Sequence, residues 1–243
     1  RYSTSPHKGR IIFTGQSDAM NGSIVYYSDD GGVSWSWTND LHRVGVDECS
    51  AAETANGSVM VIMRNCVFMQ NGSAPPNIRP FTGNAASSCV DNKRFAYAMS
   101  SDSGSTFGEI RLHPDLVTPG CESALVGHAG SIYFAGPYST LNGTATANPG
   151  RVNLTILASD DNGEHFHRSL NLGSPAETAG YTAMQCGLPG REDCAVLYDC
   201  GDGLAFARFS TLDVKTDDDG VASSPLKKED SVLTQPGTGS AAA

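Results

Sequence analysis

No stretch of this 243-residue chain approaches the roughly 18 consecutive apolar residues that a membrane-spanning helix needs. Basic residues are scarce as well. The 16 Lys+Arg face 26 Asp+Glu, a net charge of −10, and that argues against broad nucleic-acid binding. The tail from Asp213 holds six acids and three lysines, so −3 of the charge belongs to it and −7 to the rest. Helical periodicity is nearly absent. So is any metal-ligand pairing among the seven cysteines (Cys49, Cys66, Cys89, Cys121, Cys186, Cys194 and Cys200) and the six histidines. No metal and no cofactor is therefore expected. Arg1 rather than Met opens the chain, with no signal-peptide pattern after it, which reads as a processed or truncated piece.

Several features of the chain are informative. A chain of this length buries a core without help from disulfides. Five N-x-S/T sequons, at Asn21, Asn56, Asn71, Asn142 and Asn153, together with the cysteines favour the secretory route over the cytosol. Cys186 and Cys194 flank Gly187-Leu188-Pro189-Gly190, where they can face each other across a hairpin.

The apolar segments are short and β-like. Strands are expected over Arg10–Thr14, Ser23–Ser28, Cys49–Thr54, Val59–Arg64 and Arg94–Ser100, each closed by Gly, Asn or Asp. More are expected over Ser123–Gly127, Ser131–Ala135, Val152–Ala158, Tyr181–Gln185, Ala195–Tyr198 and Leu204–Phe209. Such a pattern reads as a sandwich, barrel or propeller.

A repeated motif decides among these. Ser28-Asp29-Asp30-Gly31-Gly32-Val33-Ser34-Trp35, Ser100-Ser101-Asp102-Ser103-Gly104-Ser105-Thr106-Phe107 and Ser159-Asp160-Asp161-Asn162-Gly163-Glu164-His165-Phe166 share the form S-x-D-x-G-x-x-aromatic. One chance match has odds of roughly 1 in 100, so three are no accident. Ser and Asp bond backbone amides in the turn, Gly takes a positive φ, and the aromatic plugs the space beside it. This clip is the Asp-box, and its aspartates are read as structural. Counting strands around the boxes gives four-stranded units, Glu48–Leu112 and Cys121–Leu172, with a partial unit before them and another, Tyr181–Phe209, after. The expectation is a β-propeller of which about three and a half blades occupy residues 1–212, followed by a disordered acidic Gly-Ser-Pro tail over 213–243.

Strand direction alternates within a blade. Glu48, Arg64, Arg151, Tyr181 and Asp199 are therefore expected on one rim and the boxes on the other. The longest loops, Asn65–Asn92 and Gly136–Gly150, fall on the five-residue rim, where binding sites are commonly shaped.

Asp47-Glu48-Cys49, the run Gly57-Ser58-Val59-Met60 leading to Arg64-Asn65, and Arg151-Val152-Asn153-Leu154-Thr155, with the boxes, resemble exo-α-sialidases over about residues 8–212. The likeness is nearest to animal lysosomal sialidases. It implies a six-bladed propeller in which three arginines hold the carboxylate of sialic acid, a tyrosine nucleophile is partnered by a glutamate, and an aspartate serves as general acid/base. By motif the second and third arginines fall on Arg64 and Arg151, the glutamate on Glu48 and the tyrosine on Tyr181. Asp199 takes the place of a glutamate that orients the first arginine, one methylene shorter. The first arginine and the acid/base aspartate are implied to lie N-terminal to Arg1, so the chain by itself should be inactive. The resemblance also implies sialylated glycoproteins and gangliosides as substrates, a lysosomal or secreted location, acidic working pH and a protective partner protein.

These residue types suit that chemistry. Sialic acid carries a carboxylate on its anomeric carbon, and guanidinium groups match that planar anion. A carboxylate nucleophile would be repelled there; a neutral tyrosine is not. The alternatives are a non-catalytic sialoglycan-binding propeller, which has no need of a Glu–Tyr pair, and a trans-sialidase, in which a sugar replaces water as acceptor.

Overall fold

The computed structural model describes residues 7–16, 22–38, 41, 46–65, 94–138, 150–172, 177–191 and 193–216. These form four antiparallel sheets strung along the chain. The first contains β1 (Ile11–Gln16), β2 (Ser23–Ser28) and β3 (Ser36–Thr38). The second contains β4 (Val46–Glu53), β5 (Val59–Asn65), β6 (Arg94–Ser100) and β7 (Arg111–Val117). The third is built on β8 (Ala124–His128), β9 (Ser131–Pro137), β10 (Leu154–Ser159) and β11 (Arg168–Asn171). The fourth contains β12 (Gly180–Cys186), β13 (Cys194–Asp199) and β14 (Leu204–Phe209). Within each sheet the strands neighbour one another in chain order, an up-and-down meander repeated four times.

Each pair of sheets encloses its own apolar layer. Val25 and Leu41 meet Val46, Val61, Met63 and Phe107 between the first two sheets. Met60, Ile62 and Phe95 meet Ile132, Phe134 and Phe166 between the second and third. Tyr133, Leu154 and Ile156 meet Val196, Tyr198 and Phe209 between the third and fourth. The period-2 apolar pattern thus splits: one strand face turns to the preceding sheet and the other to the next. That face-to-face succession of short meanders is the packing of propeller blades.

The three repeated turns close as the sequence dictates. Ser28 Oγ donates to Asp30 Oδ1 at 2.8 Å and accepts from Gly32 N at 2.8 Å, while Asp30 accepts from Ser34 N. The same pairs recur for Ser100, Asp102, Gly104 and Thr106, and for Ser159, Asp161, Gly163 and His165. Gly32, Gly104 and Gly163 all take φ between 83° and 98°, where a side chain would be strained. Each aromatic that ends a turn reaches back toward the preceding sheet. Phe107 and Phe166 are therefore buried, whereas Trp35, whose sheet is the first, is 41% exposed.

Four strands went unread in the sequence: β3, β7, β11 and the two-residue β15 (Lys215–Thr216). β3 and β7 are edge strands and β11 is flanked outside only by the short β15, and the half-polar composition of all three hides the alternation. β15 moves a boundary. After β14 the chain makes a short 3-10 turn at Thr211–Asp213 and returns to the third sheet, where Lys215 and Thr216 pair with Ser169 and Arg168. Arg168 Nη1 donates to the Val214 carbonyl and holds this return. Residues 213–216, expected in the tail, are thus held against the third sheet, where a basic side chain and an open strand edge capture the segment; residues 217–243 lie outside the described set. Cys186 and Cys194 are direct cross-strand partners of β12 and β13 and form a disulfide.

Candidate active site

The rim opposite the repeated turns carries the charged residues singled out by the sequence. Glu48 lies near the start of β4 and Arg64 near the end of β5, which brings both to that rim. Tyr181 is the second residue of β12, two sheets away in the chain's order. The three side chains meet. Arg64 Nη1 donates to Glu48 Oε2 at 2.7 Å and Oε1 at 3.0 Å, and to Tyr181 Oη at 3.1 Å. Tyr181 Oη donates in turn to Glu48 Oε1 at 3.2 Å. The phenolic oxygen thus has a carboxylate base and a guanidinium within hydrogen-bond reach at once. Arg64 is only 9% exposed, so its charge acts with little screening by water. Burial alone would lower its pKa, but Glu48, Tyr181 and Asp47 together raise it, and Arg64 stays charged.

A bulge in β4 explains how Glu48 reaches this position. Val46 pairs with Asn65 and Cys49 with Met63, so Asp47 and Glu48 together oppose the single residue Arg64. Two carboxyls that would alternate faces in a regular strand are both brought to one guanidinium. Asp47 Oδ2 lies 3.9 Å from Arg64 Nε.

Arg151 arrives from a different direction. Gly150, at φ 82°, turns the chain ahead of β10, and Ala179 N donates to the Arg151 carbonyl at 2.9 Å. This ties Arg151 to the start of β12 and sets its guanidinium 5.1 Å from the centre of the Tyr181 ring. Its Nη2 donates to Gly120 O at 3.1 Å. The structure does not bring Asp199 into this group. Its Oδ1 accepts from Gly201 N at 2.8 Å, its carboxylate packs beside Gly180, and it forms no ion pair among the described residues.

Other parts of the site were not read from the sequence. The turn between β7 and β8 is a platform. Thr118 Oγ1 accepts from Gly120 N and Cys121 N, Gly120 supplies the carbonyl under Arg151, and Cys121 Sγ accepts from Tyr181 N at 3.2 Å. The adjoining Glu122 faces the site, close enough to feel the charges of Glu48, Arg64 and Asp47. Its pKa is raised by burial and by the Glu48 charge, against a lowering by Arg64. Asp47 was quoted only as part of a motif, yet it is 1% exposed and titrates at about 6, raised by burial and then by Glu48, with Arg64 opposing. The sole available signal was the Asp-Glu doublet at a strand start. Pro119-Gly120 marks a turn but not its role.

One cavity of about 310 Å³ lies away from these residues, lined by Ile12, Glu53, Val59, Leu125, Gly127 and Gln185 among others. It follows the line of edge strands β1, β4, β8 and β12 and holds none of the five residues expected at the site. The open rim at Tyr181, which is 39% exposed, is where ionisable groups converge.

No protein-family model matches the chain, and no curated protein does. Solved structures do. The intramolecular trans-sialidase of Ruminococcus gnavus, solved with oseltamivir carboxylate, superposes with a TM-score of 0.66 at 17% identity, over 89% of this chain and 43% of that one. The leech intramolecular trans-sialidase, solved with 2,7-anhydro-Neu5Ac, gives 0.64 at 17% identity, over 88% of this chain and 31% of that one. A sialidase of Trypanosoma rangeli gives 0.53 at 20% identity, over 82% and 30%. The chain spans less than half the length of each. Its fold is thus that of sialidases: the described residues form part of a sialidase-type β-propeller.

Proposed function

We propose that these residues belong to a retaining exo-α-sialidase that removes terminal sialic acid from glycoproteins, oligosaccharides and gangliosides. The observation that carries this reading is the mutual bonding of Tyr181 Oη, Glu48 and Arg64 across two non-adjacent sheets. Arg64 and Arg151 hold the substrate carboxylate, and their guanidinium planes suit that anion better than lysine would. Tyr181 Oη attacks the anomeric carbon as Glu48 takes the phenolic proton. Arg64 stabilises the charge that develops on the oxygen. The glycosidic oxygen leaves with a proton from an acid, and water then cleaves the tyrosyl–sugar bond with Tyr181 taking its proton back.

None of the five residues supplies the acid at the leaving group, and Asp199 has no arginine to orient among the described residues. The isolated 243 residues are accordingly expected to be silent in turnover, with the acid/base aspartate and a further arginine coming from sequence outside them. A lysosomal or secreted location, acidic working pH and a protective partner protein complete the proposal. Full activity of the pure monomer near neutral pH would contradict those last two points.

Trans-sialylation is the second reading, favoured by two of the structural neighbours, which are named as intramolecular trans-sialidases. A sialoglycan-binding module without catalysis explains the arginines but not a base on a tyrosine. The test is release of a fluorescent aglycone from an α-sialoside by the longest natural polypeptide containing these residues, between about pH 4 and 7. Wild type is run beside Tyr181→Phe. Turnover that collapses in the variant is expected. A folded wild type that binds sialosides and releases nothing refutes the hydrolase. Release of 2,7-anhydro sugar or of a new sialoside in place of free sialic acid selects transfer.

A further inference from the structure

Asp47 has no part in the chemistry above, yet its environment is costly. It is 1% exposed, and neither carboxyl oxygen completes a well-aligned hydrogen bond, although the neighbouring Glu48 lies close enough to influence its titration. A buried carboxyl whose oxygens complete no hydrogen bond is an expense that folding alone does not require. An apolar residue in a regular strand would serve the core better. Instead the β4 bulge turns Asp47 toward Arg64, and Ser23 Oγ from the first sheet donates to the Asp47 carbonyl and fixes the bulge.

We propose that Asp47 is a positioning residue for Arg64: seated at the Nε edge of the guanidinium, it confines that group from the buried side, and its proton sets how much positive charge Arg64 offers an incoming carboxylate. The inference rests on reading Arg64 as an anion-binding residue. With Asp47 neutral, one carboxylate fewer opposes the positive charge, while Glu48 stays at Nη1. With Asp47 ionised, a second carboxylate lies 3.9 Å from Nε and the guanidinium attracts a ligand anion less. The groups that face Asp47 are Glu48 on its own strand, Arg64 on β5 and Glu122 on the β7–β8 turn; Tyr181 on β12 bonds Arg64 from the open side. Of these only Arg64 is cationic, and burial with the two acids favours the proton. Titration at about 6 places the change inside the range where a weakly acidic compartment differs from neutral surroundings.

The experiment uses the whole 243-residue chain, labelled with ¹⁵N. The Arg64 Nε–H resonance, identified by its loss in Arg64→Lys, is followed from pH 4.5 to 7.5. A shift with its midpoint near pH 6 is expected in the wild type. The midpoint should fall in Glu48→Gln, where a neighbouring negative charge is gone, and the shift should vanish in Asp47→Asn. A wild-type resonance that does not titrate overturns the proposal, and that result needs no variant to fold. Where Asp47→Asn does not fold, Asp47→Glu replaces it and should move the midpoint without abolishing the shift.

A second arm titrates N-acetylneuraminic acid into the chain at pH 5 and 7.5. Affinity in the wild type should weaken by roughly two- to fivefold at the higher pH. One charge about 4 Å away in bulk water is worth about fivefold, and the ligand carboxylate would sit farther from Asp47 than Arg64 does but with less water between. In Asp47→Asn it should stay level. Equal affinity at both pH values in the wild type overturns the proposal while the sialic-acid reading stands. A titrating resonance with no binding at either pH supports the placement of Asp47 and counts against the sialic-acid reading.

Discussion

The two rims of the propeller segment are built by opposite means. On the turn rim every clip is local: Ser, Asp, Gly and the aromatic lie within eight residues, and the defining hydrogen bonds join positions two to four apart. On the other rim Arg64 reaches Glu48 across 16 residues and Tyr181 across 117. The first rim is repeated three times, and the aspartates that close its clips (Asp30, Asp102 and Asp161) are held by backbone amides and hydroxyls. The second occurs once, and its acids are held by arginine, with Tyr181 adding a bond to Glu48. Local clips set strand register cheaply, because closing a short loop costs little entropy. A site that joins distant segments exists only after the sheets have packed. Damage to the turn rim should therefore be read in stability, and damage to the site rim in binding and turnover.

Arg64→Met should give the largest effect, because it breaks the site rim in both currencies. It leaves buried Asp47 and partly buried Glu48 side by side without a cation, a loss of about 3 kcal/mol by analogy with other broken buried pairs. Sialoside binding should vanish with it. Urea denaturation at pH 7.5 and 5 checks the cause: the loss should shrink at the lower pH, where Asp47 holds its proton. A loss independent of pH would mean that packing, not charge, dominates.

Gly163→Ala should come next and tests whether the turn rim is as local as it looks. Gly163 has φ +89°, and an added Cβ would lie 2.5 Å from Met60 Sδ of the second sheet. Strain and collision together should cost about 2 kcal/mol. Gly31→Ala is the control, at φ +78° with open space around it, and should cost about 1 kcal/mol. Equal losses in the two would show that the third turn gains nothing from its neighbour. His113 makes the same join from the other side, since its Nε2 lies 2.9 Å from Gly163 O.

The contrast also explains what was legible. The serine–aspartate turns were readable because sequence neighbours make their bonds, and most strands followed from apolar alternation between them. β7 was not readable, as Arg111-Leu112-His113-Pro114-Asp115 interrupts the alternation, although His113 is buried and Asp115 bonds Phe166 N. Glu48, Arg64, Arg151 and Tyr181 were placed on one rim by strand direction and named by resemblance, and the first, second and fourth do meet. Asp47, Cys121 and Glu122 were missed because their parts depend on a bulge and on burial between sheets. Neither is encoded within a few residues. Among the sequons, Asn153 sits at φ 62° with its Nδ2 bonded to Tyr138 O, a packed corner that the N-x-T pattern alone did not distinguish from the exposed turn at Asn56. Asn21, Asn71 and Asn142 lie outside the described residues.

The smallest expected effect separates the rims by the sign of their response to pH. In the turns, burial raises the pKa values of Asp102 and Asp161, but hydrogen bonds from Thr106 and Ser100, and from His165 and Ser159, more than offset it, so both are lowered. Their contribution is present above the ordinary aspartate range and is lost as pH falls through the lowered values. Asp47 has the opposite sign. Its pKa rises from 3.8 to about 6, so between those values the folded chain binds more protons than the unfolded one. Stability from Asp47 is complete below pH 3.8 and is lost as pH rises through about 6. Urea midpoints at pH 3, 5 and 7.5 for Asp102→Asn and Asp47→Asn measure the two limbs. Asp102→Asn should lose about 1 kcal/mol at pH 5 and 7.5 and less at pH 3. Asp47→Asn should match the wild type most closely at pH 3 and gain on it by pH 7.5. A gain at pH 3 in place of pH 7.5 would mean that Arg64 outweighs burial and holds Asp47 ionised, and the site rim would then be stabilised by its acids in the same sense as the turns.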